Sequence, residues 1–371
     1  MHATKALTEA DRLMTVCNSC RYCEGLCAVF PAMEMRRNFE DGDLNYLANL
    51  CHNCGACFVD CQFSPPHEFN VNVPQNFARV RAESYGQYAW PFAMPGVFAR
   101  NGLAISIVAA LSIALFIIGF VAYANPAALY ASGDEAGAFY RVMPHNTMAV
   151  IFGAAFAFGI LGLVGSSLTF WRSTRRPDAP ALTFADLLQA MKDAGSLRYL
   201  DGAGAGCYTS DEMTDSRRHA HHATFYGFLL CFASTSVATL YHYVLGRQAP
   251  YGWTELPVIL GVLGGIGIVI GPIGLYVNKL KRKPETIDAE SEGMNLAFIA
   301  MLFATGVTGL LLLVLRATPA MGILQALHLG VVFALFITMP YGKFVHGFYR
   351  YLALVRYAGE KKQLEAGGGV D

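Results

Sequence analysis

Six long apolar stretches occupy the chain from Leu103 onward, and they restrict what it can fold into more than any other feature. The first, LAISIVAALSIALFIIGFVAYA, runs from Leu103 to Ala124 without a charge. A helix needs about 20 such residues to cross the hydrocarbon core of a bilayer. Comparable stretches follow at about 146–171, 220–245, 254–277, 294–315 and 321–346. A soluble fold would have to bury all six as core helices, which a chain of this size cannot do. Charge content points the same way: 15% of the 371 residues are charged, against about 25% in soluble domains. The 27 basic and 27 acidic residues balance, and no basic cluster is interleaved with aromatics, so nucleic acid is not an expected partner. The first thirty residues carry cysteines and charges instead of an apolar core with a cleavage site, so no signal peptide is expected.

Lysines and arginines between the spans set the expected orientation. The 172–218 loop holds Arg172, Arg175, Arg176, Lys192, Arg198, Arg217 and Arg218, and the 279–291 loop holds Lys279, Lys281, Arg282 and Lys283. The C-terminal segment adds Arg350, Arg356, Lys361 and Lys362, whereas the opposite side has Arg141, Arg247 and Arg316. Both termini are therefore expected in the cytoplasm. Within the long loop, TFADLLQAMKDA reads as an amphipathic helix near the headgroups, opened by a Thr183–Asp186 capping pattern. DGAGAGC, 201–207, has alternating glycines and no preceding strand, and reads as a flexible turn, not a nucleotide loop.

Ahead of the apolar region the chain repeats itself. CNSCRYCEGLC at 17–27 and CHNCGACFVDC at 51–61 place four cysteines each at the spacing C-x2-C-x2-C-x3-C. Eight of the ten cysteines sit in these runs. Thiolates gathered so closely suit [4Fe–4S] clusters better than a zinc ribbon, and in this spacing the fourth cysteine of each run serves the other cluster. One cluster is then expected on Cys17, Cys20, Cys23 and Cys61, the other on Cys51, Cys54, Cys57 and Cys27. Ala28 and Gln62 stand where small ferredoxins usually carry proline. Between the runs, MEMRRNFEDGDLNYLANL reads as helical with Asp43 as N-cap, so a helical domain is expected instead of a two-sheet sandwich. His52 and His67 read as turn histidines, Cys207 and Cys231 as ordinary thiols, and 64–98 as a linker.

Histidines mark two of the spans, where ionisable residues are functional candidates by default. The third span starts HAHHATFYGF, with His219, His221 and His222 at its inner end, and carries His242 at its outer end. The sixth has His328 at the outer end and His346 at the inner. Eighteen positions separate the latter two, five full helical turns, which places both on one face about 27 Å apart. Alternating topology sets His346 level with His221 or His222, and His328 level with His242. This arrangement suits two b-type haems, one per leaflet. On the third span the helical phase favours His221, about 60° from the face of His242, over His222 at about 160°. His145, at the outer start of the second span, reads as interfacial.

Two C-x2-C-x2-C-x3-C runs, then CQFSPPHEFNVNVP, YLDGAGAGC and RRHAHHATFYGFLLCFAST, resemble the tricarballylate utilisation protein B family, also called CitB or TcuB, over nearly the whole chain. The sixth span is also similar to the haem-bearing helix of respiratory nitrate reductase gamma subunits. The first resemblance implies a protein of the bacterial inner membrane that reoxidises the reduced FAD of a partner dehydrogenase, tricarballylate dehydrogenase by resemblance. Electrons would pass through iron–sulfur clusters and haem b to quinone. The expected architecture is all-α: a helical di-cluster ferredoxin-like domain with its linker over 1–98, a six-span haem-binding bundle over 99–350, and a cytoplasmic tail over 351–371. No acid–base pair, nucleophile or flavin-binding loop is evident, so substrate chemistry belongs to the partner. Two other readings fit the same residues: a cytochrome-type subunit of another dehydrogenase or heterodisulfide-reductase-like complex, and a membrane redox sensor.

Overall fold

The fold is described from a computed structural model covering residues 2–91, 95–121, 126–130, 132–177, 179–200, 207–208 and 213–366. The glycine-alternating segment at 201–206 lies outside the described residues. Thr4 opens α1 (Lys5–Cys20), its hydroxyl oxygen accepting the Leu7 amide at 3.2 Å. Short helices α2 (Val29–Glu34), α3 (Asp41–Leu50) and α4 (Ala56–Val59) follow, then α5 (Val73–Gln87), capped by Asn72 with Pro74 in its first turn. Leu13, Met14, Met33, Leu44, Leu47 and Phe77 form the buried core of this helical unit. Asp43 is not the N-cap. The helix α3 begins at Asp41 after Glu40, and the Asp43 carboxylate is drawn into the interior by Arg36 at 2.8 Å and Arg356 at 3.1 Å.

Beyond α6 (Pro95–Ala99) lie the apolar helices α7 (Asn101–Gly119), α9 (His145–Thr174), α11 (Ser216–Leu245), α12 (Leu256–Leu280), α13 (Glu292–Leu315) and α14 (Met321–Thr338). Short α8 (Ala138–Val142) leads into α9, and α10 (Phe184–Gly195) lies in the 172–218 loop. Among the described residues, six segments are long and apolar enough to cross a membrane. Leu103, Leu111, Leu161, Leu240 and Ile270 stay exposed on the bundle's outside, as lipid-facing side chains would. Between α11 and α12 the backbones approach closely, because small residues permit it: a Cβ on Gly267 would meet Gly227 and Ala223 at 2.8 Å.

The sixth span departs from expectation. Its helix ends at Thr338, a 3-10 turn covers Met339–Tyr341, and Gly342 is extended before α15 (Val345–Ala366) begins. Pro340 has no N–H to continue the ladder, and the extended Gly342 redirects the chain. His328 and His346 therefore sit on two helices, and the five-turn phase relation between them does not hold. Residues 351–366 are the body of α15, which packs on α3, α9 and α10. On α15, Glu360 accepts from Arg36 at 2.7 Å, from Arg356 at 2.8 Å and from the Tyr46 hydroxyl at 3.1 Å, all buried. The helix thus clamps the cysteine domain to one end of the bundle, called below the domain end.

The 172–218 loop joins the same end. Its α10 is opened by Asp186, whose carboxylate accepts from the Thr183 amide at 2.7 Å and hydroxyl at 2.8 Å. The β1 strand (Cys207–Tyr208) pairs antiparallel with β2 (Met213–Thr214), and the Tyr208 amide donates to the Cys54 carbonyl at 2.8 Å.

Candidate redox site

The eight clustered cysteines divide between two adjacent cavities, and the division is crossed. Cys17, Cys20, Cys23 and Cys61 line one, together with the exposed Tyr22. Cys27, Cys51, Cys54 and Cys57 line the other, with His52 and Tyr199. Phe30, Val73 and Cys57 contribute to both, so a single side-chain layer separates them. The geometry follows from chain direction: α1 is capped by Arg21, whose left-handed backbone turns the remaining cysteines back over the helix end. Gly55, with φ of 86°, does the same before α4, a conformation that costs glycine little.

These thiols crowd one another. Cys17 is pushed up to about 12 by burial and then by Cys23, Cys61 and Cys20. Cys27 is raised by burial and then by Cys54 and Cys51. Cys17 thus feels the fourth cysteine of the opposite run, and Cys27, itself a fourth cysteine, feels the opposite run's first two. Such thiols ionise only with a cation among them, the chemistry of a metal-cluster donor set. Among the described residues, no group of three His, Cys, Asp or Glu side chains closes on a single ion; the sulfurs ring their cavities. Backbone amides point at the sulfur positions: Asn53 donates to Cys51 Sγ at 3.3 Å, a contact of the kind that tunes cluster potentials.

Three guanidiniums from three helices hold residues 48–53, where the second run begins. Arg81 donates to the carbonyls of Ala48 and Cys51 at 2.9 and 3.2 Å. Arg350 donates to Cys51 at 2.8 Å, and Arg217 to His52 at 3.1 Å and Asn53 at 2.5 Å. His52 is accordingly no turn histidine. It is buried against the second cavity, its Nδ1 3.0 Å from the Leu50 carbonyl, and burial with Arg350 nearby lowers its pKa well below the usual imidazole value. His67 does sit in a turn, packed between Phe63 and Phe69. The arginine frame escaped sequence reasoning, since its members lie hundreds of residues apart.

At the domain end His221 faces His346, ring centroids 6.2 Å apart. His222 turns instead to Tyr226. Two metal–imidazole bonds of about 2 Å each, with the ring radii added, set centroids about 6 Å apart, so the pair fits an iron held between two imidazoles. His346 donates from Nδ1 to the Lys343 carbonyl, which leaves Nε2 as the nitrogen available to a metal. The Nδ1 of His221 is buried without a partner. At the far end the expected pair is not brought into contact. His242 stacks on His145 at 3.5 Å and 15°, both with unpartnered Nδ1 atoms. His328 instead packs over Gly309, its Nδ1 3.0 Å from the Thr308 hydroxyl. That hydroxyl donates to Ala304, so it accepts from His328 and leaves Nε2 as the imidazole acceptor. His145 is therefore more than an interfacial residue: α8 and Pro144 deliver it onto α11.

A paired-cavity cysteine domain clamped to the end of a six-helix apolar bundle defines a class: helical proteins whose helices are long and apolar enough to cross a membrane and that carry a ferredoxin-like unit. Comparison with known proteins gives the particular family. Residues 10–91 match the family described as the citrate utilization protein B Fer4-like domain, and residues 97–367 match the family citrate utilization protein B. The chain is 47% identical to citrate utilization protein B of Escherichia coli over 367 residues, 98% of this chain and 95% of that protein. The chain belongs to the citrate utilization protein B family. No solved structure matches it.

Proposed function

We propose that the chain is a membrane electron carrier that takes electrons from an FAD-dependent dehydrogenase of citrate or tricarballylate utilisation and delivers them to quinone. Two [4Fe–4S] clusters and haem b supply the redox chemistry when bound. The observation that carries the reading is the continuity of donor sets: crossed cysteine cavities side by side, then the arginine-held 48–53 segment, then the His221–His346 pair. Cys17, Cys20, Cys23 and Cys61 hold the cluster nearer the surface, where Tyr22 and Arg21 stand open to a protein partner. Cys27, Cys51, Cys54 and Cys57 hold the one nearer the bundle, and Arg81, Arg217 and Arg350 place positive charge beside it. His221 and His346 hold a haem at the domain end. A far-end haem would use His242 and His328, with His242 released from His145. The Lys and Arg excess at the domain end supports a cytoplasmic position for that end, the side on which a soluble dehydrogenase would dock.

The full chain, purified anaerobically in detergent, tests this. It should carry about eight irons in clusters under the cysteine rule, and b-type haem. His346→Ala should remove the haem of the domain end while cluster iron stays. Stoichiometric zinc without iron, or His346→Ala with unaltered haem content and spectrum, refutes the assignment.

A further inference from the structure

Lys343 is the charged side chain for which the electron-carrying reading has no use. It lies in the turn between α14 and α15, its ammonium over the buried Tyr85 ring at 5.5 Å. The charged groups around it are Arg81, Arg350, Lys279 and Arg217, all of its own sign. Each of these has an occupation: three arginines hold carbonyls of 48–53, and Lys279 is paired with Glu292. Among the described residues no carboxylate approaches the Lys343 ammonium, and the first turn of α15 contains no acidic residue. A cation at a helix N-terminus also opposes the helix dipole. Positive charge gathered from three helices beside this turn, with no carboxylate of the described residues facing Lys343, favours an anion that the chain does not itself provide.

We propose that Lys343 binds a carboxylate of the domain-end haem, one of the two propionates on its ring edge; this rests on the haem assignment above. The carbonyl of Lys343 holds the His346 imidazole, so its ammonium starts from the same turn as the ligating nitrogen. A compact ammonium suits one carboxylate, whereas a guanidinium would favour a bidentate partner. A phospholipid phosphate offers similar chemistry. It would have to pass beneath the cysteine domain, where Tyr85 is buried and Arg81 and Arg350 are already bonded to that domain.

Lys343→Gln and Lys343→Arg in the full chain, kept in membranes, test the assignment through haem content, the reduction midpoint of the b-type signal and copurifying anionic lipid. Removing the positive charge favours the oxidised haem. The Gln variant should therefore keep its haem with a midpoint lowered by about a tenfold change in the reduction equilibrium, ~59 mV for one electron, and Arg should restore it. Haem loss in the Gln variant that Arg reverses supports the site equally. A Gln variant with full haem and the wild-type midpoint overturns it, as does loss of bound phospholipid with the midpoint unchanged. Wild-type protein without haem overturns the underlying assignment as well.

Discussion

Glu360→Gln should unclamp the cysteine domain from the bundle. Arg36, Asp43, Arg356 and Glu360 are all buried, and their four formal charges cancel. Tyr46 lies under both guanidiniums, at 4.8 and 4.2 Å, and donates to Glu360. The substitution leaves two guanidiniums facing one carboxylate and sets an amide N–H₂ against donors. Breaking a buried ion network in this way costs about 3–5 kcal/mol. At about 1.4 kcal/mol per decade, opening of α15 becomes roughly 10²- to 4 × 10³-fold more frequent. Limited trypsinolysis reads this directly, since Arg356 is protected while α15 is docked and cleavage follows the open population when reclosing is fast. The fragment ending at Arg356 should appear at least about a hundredfold faster than from the wild type. An apolar replacement of both Arg356 and Glu360 removes the scissile residue, so the rescue is better built at Arg36: Arg36→Met with Glu360→Gln should recover part of the protection, because charge balance returns. Cleavage at the wild-type rate in Glu360→Gln would refute the clamp.

Two further outcomes follow from the cysteine domain. Cys61→Ser should disturb the cluster of Cys17, Cys20 and Cys23 and spare that of Cys51, Cys54 and Cys57, read by electron paramagnetic resonance of the reduced protein; selective loss of the second cluster would contradict the crossing. Glu34 is pushed up to about 7 by burial and then by the Glu24 carboxylate. Its folded-state pKa lies above the unfolded one, so the native domain binds the extra proton and loses stability as pH rises from about 4.5 toward 7. Glu34→Gln should flatten that segment of the pH–stability curve measured by thermal unfolding, and an unchanged slope would remove Glu34 as its source.

The parts of this fold that the sequence makes legible are those fixed by short-range rules. Helix lengths suit the thickness of a bilayer, and Cys27 and Cys61 each line the cavity of the other run. The choice of His221 over His222 opposite His346 agrees with helical phase, although the phase argument used His242, not His346. What escaped depends on long-range encounters. Pro340 and Gly342 sit inside an apolar run that looks continuous, so hydropathy alone hides the break before α15. Asp43 resembles an N-cap until Arg36, from the loop after α2, and Arg356, from α15, pull it inward. His52 looks like any loop histidine until Arg217 and Arg350 bury it against the second cavity. His145 meets His242 only because α8 and Pro144 set the entry of α9, which no periodicity encodes.

The three arginines at the 48–53 segment explain why the break in the sixth span is useful. Arg217 stands on α11, four positions before His221, and Arg350 on α15, four positions after His346. Four residues are about one helical turn, so each arginine sits on its histidine's side of its helix. Both guanidiniums bond carbonyls of one short loop, and Arg81 of α5 fastens that loop from the domain side. The loop thereby fixes α11 against α15, and with them the 6.2 Å separation of His221 and His346. Had the sixth span continued straight through Gly342, Arg350 and Glu360 would extend away from the bundle along its axis. By turning at Pro340–Gly342 the chain lets α15 lie on the cysteine domain, so one helix carries the imidazole, the loop-holding arginine and the buried clamp. Cavity and histidine pair are therefore positioned by a common set of charges, and a change in either is felt by the other through Cys51 and His52.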